Sequence, residues 1–202
     1  MLEQRDRTGR QIRSVPAEFT TRAAEDGKPV IAGYFSVFNS DYELWPGAVE
    51  QVAYGAFSDQ LNCDVRALCN HDTRLVLGRT TAGTLSLKED EHGLYGEIEV
   101  NGDDGDAMNL YARVQRGDVN QCSFGFDIVD EEFIDEGQTC RWIIRKVRLY
   151  EVSVVTFPAY EATAVTARQR DLEEIRARQI ESWRAKMKGR LKNGTENTHA
   201  ET

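Results

Sequence analysis

A chain of 202 residues is long enough to bury a core without disulfide or metal staples, and a formal net charge of −9 excludes nonspecific binding to nucleic acid or anionic membranes, which needs a basic surface. The mean hydropathy of −0.55 fits a soluble protein, and no stretch approaches the ~18 consecutive apolar residues of a membrane span. Residues 1–16 carry basic side chains with no apolar run behind them, so no secretory signal is expected and the chain is read as intracellular.

Residues 1–28 are polar and end in a turn signal, Glu25-Asp26-Gly27-Lys28-Pro29. Residues 30–38 read as a buried strand in which Gly33 permits a bulge or a close approach. After the break at Trp45-Pro46-Gly47, the spacing of Val49, Val52, Ala56 and Phe57 predicts a helix over 48–61, weakened by Gly55. The apolar run 65–71 predicts a strand that ends in Asn70-His71-Asp72, with Val65, Ala67, Cys69 and His71 on one face. Alternation in 85–87 and 94–100 predicts a hairpin whose turn holds His92, and His199 lies near the polar end. His71 is therefore the histidine best placed to act as a general base.

Residues 104–116 begin with acidic and end with basic side chains before Gly117, the charge order and stop signal of a helix. In the strand predicted over 119–129, Cys122, Phe124, Phe126 and Ile128 share one face, and Ser123, Gly125 and Asp127 the other. Ser123 is then either a strand serine on a solvated face or, if an imidazole and an orienting group reach it, a nucleophile.

A second long strand is predicted over 140–157, and Glu151 is the only charged residue between Leu149 and Tyr160. Burying that carboxylate requires a partner: Arg145, Arg148 or His71. A hairpin about Glu136-Gly137 puts Ser123 opposite Tyr150, one step from Glu151. From Arg168 the chain reads as a charged helix to Leu191, with Leu172, Ile175, Ile180, Trp183 and Met187 as a docking stripe, followed by a disordered end. Cys63, Cys69, Cys122 and Cys140 include no C-x-x-C pair and read as free thiols; Cys63, Cys69 and His71 match no zinc spacing, and no metal or cofactor is expected.

Three motifs in order, Asn70-His71-Asp72, Ser123-Phe124-Gly125-Phe126 and Glu151-Val152-Ser153-Val154-Val155-Thr156-Phe157-Pro158-Ala159, resemble those of the prohead maturation proteases of tailed bacteriophages. Smaller agreements at Gly33-Tyr34-Phe35, Pro46-Gly47, Ala56-Phe57, Leu77-Gly78, Gly93-Leu94 and Gly117 extend the resemblance over about 30–167. It implies an α+β, mainly β fold like that of the herpesvirus proteases: a compact antiparallel β-barrel with a few helices, preceded by the polar segment 1–28, spanning 29–167, and followed by a charged helical and disordered tail over 168–202. It further implies a serine endopeptidase with Ser123 as nucleophile, His71 as base and Glu151 as third member. Asp72 is the rival for that third place; as a strand neighbour of His71 it should point to the opposite face.

The implied substrates are the major capsid protein and the scaffold, and the protease itself, inside the assembling prohead in the host cytoplasm; dimerisation is a further analogy. Two alternatives compete with this assignment. One is a non-catalytic shell or scaffold component that keeps the barrel. The other is a cysteine peptidase using Cys122 or Cys69, although Cys122 shares the phenylalanine face.

Overall fold

The computed structural model describes residues 11–16, 18–24, 27–157 and 162–196, which divide into two compact units, Met1–Glu161 and Ala162–Thr202. Two sheets make up the first unit. One runs β1 (Gln11–Pro16), β10 (Gln121–Asp135), β11 (Cys140–Val155), β5 (Ala48–Val52), β4 (Tyr42–Trp45), with β6 (Arg66–Cys69) also paired to β11 and β7 (Asp72–Arg79) to β6. The other runs β2 (Thr20–Ala23), β3 (Pro29–Val37), β9 (Gly93–Glu99), β8 (Leu85–Glu89). The fold is thus mainly β, with two helices, α1 (Gly105–Arg116) and α2 (Ala162–Glu196). Among the described residues, hydrogen bonding leaves the two sheets separate and does not close them into one barrel.

Burial of the aromatic face of β10 orients everything that follows. Phe124 and Phe126 stack at 4.8 Å, Phe57 meets Phe124 edge-on at 5.5 Å, and all three are buried in one cluster with Ile31, Phe35, Leu94 and Ile98 of the second sheet. Each such side chain stabilises the fold by about 1.5–3 kcal/mol, so β10 cannot turn this face outward. Side chains at 123 and 125 consequently stand on the opposite face. Helix α1 is capped by Asp104, which accepts from the Asp106 and Ala107 amides, and it ends at Gly117 with φ 86°; Ala107, Leu110 and Val114 form its buried stripe.

Four expectations need correction. Residues 48–52 form strand β5, parallel to β11, where a helix was predicted. The buried alternation is Ala48, Glu50, Val52, and its charged middle member hides a period of two from a search for apolar residues. Polar composition likewise conceals β1 and β2 within 1–28. The β10–β11 hairpin closes at Asp135 and Cys140 around 136–139, and with bulges after Gly125 and beyond Ile128 the partner of Ser123 is Ser153, not Tyr150. That shift is an odd number of residues, so it changes which side chains share Ser123's face. Finally, α2 begins before Arg168 and continues beyond Leu191, through residues assigned to the disordered end; residues 197–202 lie outside those described. Within α2, Ile180 and Trp183 are exposed.

Candidate functional site

His71 is not on a strand face, as predicted, but in the two-residue turn between β6 and β7, closed by the pair Cys69 and Asp72. Both central residues are left-handed, Asn70 at φ 50° and His71 at φ 60°, as a tight hairpin turn requires and as asparagine and histidine tolerate better than most residues. Asn70 fixes this turn to the end of β11: its amide donates to the Val154 carbonyl at 3.0 Å, and its Oδ1 accepts from the Thr156 amide at 2.8 Å. Because β6 runs parallel to β11 from Glu151 to Val154, the turn leaves the imidazole lying back over Glu151 and Ser153.

The imidazole Nδ1 lies 2.7 Å from Glu151 Oε1, with Ser153 Oγ at 3.3 Å, and Ser153 Oγ donates to Glu151 Oε2 at 2.6 Å. Glu151 and Ser153 are two apart on β11 and therefore project to one side. An ionised carboxylate only accepts, so this contact assigns the proton to Nδ1 and leaves Nε2 with a free lone pair. Nε2 is buried and, among the described residues, has no hydrogen-bond partner. Glu151, 3% exposed, takes His71 as its donor partner, and Arg145 pairs instead with Glu132.

Ser123 faces Ser153 directly across the hairpin, and Gly125 faces Glu151. Of the two readings of Ser123, that of a serine on a solvated face is overturned, for Ser123 is 0% exposed. Its hydroxyl donates to the Arg13 carbonyl at 2.9 Å and makes no hydrogen bond to His71. The structure thus joins His71 to Glu151 and sets Ser123 beside their shared neighbour Ser153, with the hydroxyl turned toward β1.

Gly125 explains the glycine in the Ser123-Phe124-Gly125-Phe126 motif. A Cβ there would come within 2.4 Å of Glu151 Oε1, so only glycine leaves the carboxylate room beneath the imidazole. Gly125→Ala is expected to destabilise the chain by about 1–3 kcal/mol, by overpacking a buried site, and to push Glu151 off His71. Thermal denaturation checks this, and an unchanged midpoint would show that the carboxylate has somewhere else to go.

Asp72 does not touch the imidazole. Hydrogen bonds from Arg74 occupy it and hold its carboxyl down to about 2, so it stays ionised through the neutral range as part of a surface pair. Cys122 points into the core and donates to the Tyr34 carbonyl at 3.1 Å, while burial pushes the Cys69 thiol up, away from the thiolate that a nucleophile needs. Sequence reasoning passed over Ser153, whose place two residues after Glu151 was the available signal. It also passed over Arg13 and Glu50, a buried ion pair linking segments too distant for any local pattern to reveal.

A family model described as caudovirus prohead serine protease matches residues 17–178. The prohead protease of Enterobacteria phage HK97 is 32% identical over 170 residues, covering 78% of this chain and 68% of that protein. Among solved structures, the bacteriophage T4 capsid assembly protease is similar with a TM-score of 0.49 and 15% identity, over 72% of this chain and 96% of that one.

Proposed function

The chain belongs to the caudovirus prohead serine protease family, and on that premise we propose that Ser123 is its nucleophile, His71 its general base and Glu151 the group that orients the imidazole. The observation that carries these roles is the buried Glu151–His71 contact at 2.7 Å, which leaves Nε2 as an acceptor without a partner among the described residues, while the register sets Ser123 opposite Ser153, the neighbour of that pair. A non-catalytic shell component would have no physical need of a buried carboxylate holding an imidazole.

Rotation of the Ser123 side chain turns its hydroxyl from the Arg13 carbonyl toward Nε2. As the oxygen attacks the substrate carbonyl, its proton passes to Nε2 and later to the leaving amine, while Glu151 retains the Nδ1 proton and stabilises the transient imidazolium. Water then repeats the sequence on the acyl-enzyme. Ser153 donates to the second carboxylate oxygen and so fixes Glu151's orientation.

The substrates in this proposal are the major capsid protein and the scaffold, cut within the assembling prohead, together with the chain itself; self-association belongs to the same proposal. Co-expression with the capsid protein and scaffold tests the substrate assignment. New N-termini in either, absent when this chain is left out, are the expected result. Intact precursors would remove the capsid assignment and leave the proposed chemistry to be judged on other peptides.

A further inference from the structure

Resting on the assignment of Ser123, we propose that β1 is a plug: the edge of β10 beside Ser123 binds an extended protein segment as an added strand, and the chain's own β1 occupies that edge until displaced. β1 ends the seven-stranded sheet and, among the described residues, pairs with β10 alone, antiparallel from Gln11 opposite Phe126 to Pro16 opposite Gln121. Its departure breaks no other ladder. It uncovers the row of backbone donors and acceptors that strand addition uses.

The position it holds is the one a substrate needs. Ser14 sits opposite Ser123, and the Arg13 carbonyl oxygen accepts from the Ser123 hydroxyl at 2.9 Å, so β1 already brings a backbone carbonyl within hydrogen-bond reach of the proposed nucleophile. β1 also precedes the stretch that matches the family, which begins at residue 17.

The latch is a buried ion pair. The Arg13 guanidinium donates from Nη2 to Glu50 Oε2 at 2.9 Å and from Nε to Oε1, with its Cζ 5.7 Å over the Phe126 ring, and the two side chains are 6% and 2% exposed. Breaking such a pair by taking away one charge leaves the other desolvated beside an empty place. With Glu50 neutral, the cheapest relief is for β1 to leave the edge and carry Arg13 into water.

The test is the rate at which a fluorophosphonate reagent labels Ser123 in the full chain. Glu50→Gln is expected to raise that rate at least ~10-fold by populating the open edge. A second variant, Val15→Cys, places a thiol opposite Cys122 in the register, where antiparallel partners lie within disulfide reach. Its oxidised form is expected to label at least ~10-fold more slowly than the same protein reduced by dithiothreitol. Equal rates in the two redox forms overturn the plug, as does a folded Glu50→Gln protein that labels no faster than wild type. Should Glu50→Gln fail to fold, the redox pair decides alone. Labelling of a different serine in every form instead overturns the Ser123 assignment, and the plug with it.

Discussion

Alanine in place of Ser123 is expected to lower peptide-bond cleavage by roughly 10³-fold or more, leaving only what binding and the rest of the site supply. The fold should survive, because among the described residues the hydroxyl makes one hydrogen bond, to the Arg13 carbonyl, and losing it costs about 1 kcal/mol. For a chain of this length that moves the melting midpoint by roughly 2–4 °C, so loss of cleavage beside a near-normal midpoint separates chemistry from unfolding.

Ser153 is the residue to compare. It is nearer the imidazole, at 3.3 Å, but from Nδ1, the nitrogen whose proton Glu151 already holds. Ser153→Ala should therefore weaken the site by loosening Glu151 without removing the nucleophile. Retention of most activity in Ser123→Ala, with total loss in Ser153→Ala, would put the nucleophile on the wrong strand.

Glu151→Gln is the second large effect, a fall of about 10²- to 10⁴-fold in kcat/KM, by analogy with loss of the orienting carboxylate in other serine protease triads. The amide nearly matches the carboxylate in shape and fits under Gly125, so packing changes little. What it loses is the charge that stabilises the imidazolium and the certainty of an acceptor at Nδ1, since the amide group can turn its donor to the ring. Ser153 donates to the carboxylate at 2.6 Å and meets the same ambiguity. Steady-state kinetics on a processed peptide, paired with thermal denaturation, give the result, and a loss of less than about tenfold would leave Glu151 as a structural partner of His71 only.

If the plug and the triad both hold, one strand pairing governs both stability and activity. Arg13 and Glu50 hold β1 on the edge, and β1 holds the hydroxyl away from the base. Conditions that favour the closed edge then favour an inactive enzyme.

His71, Ser123 and Glu151 were all legible as individual residues, each for a local reason. One was a histidine after an apolar run, one a serine on a strand whose other face is aromatic, and one a lone charge in a run that had to be buried. Local pattern also showed α1 with its caps, the β8–β9 hairpin and the two long strands, since a period of two or 3.6 and a turn residue are written into neighbouring positions. Strand β5 escaped because its buried middle residue is Glu50, whose partner Arg13 belongs to another strand.

The amino-acid order by itself determined the faces of the two long strands, because side-chain period is a local property, and it carried the three motifs whose resemblance to a known family implied the class of chemistry. Only the tertiary structure decided the register that sets Ser123 against Ser153, the left-handed turn that swings His71 onto Glu151, and the hydrogen bond that ties the Ser123 hydroxyl to β1. Bulges, parallel neighbours and a buried ion pair act between segments far apart in the chain, and no stretch read alone contains them.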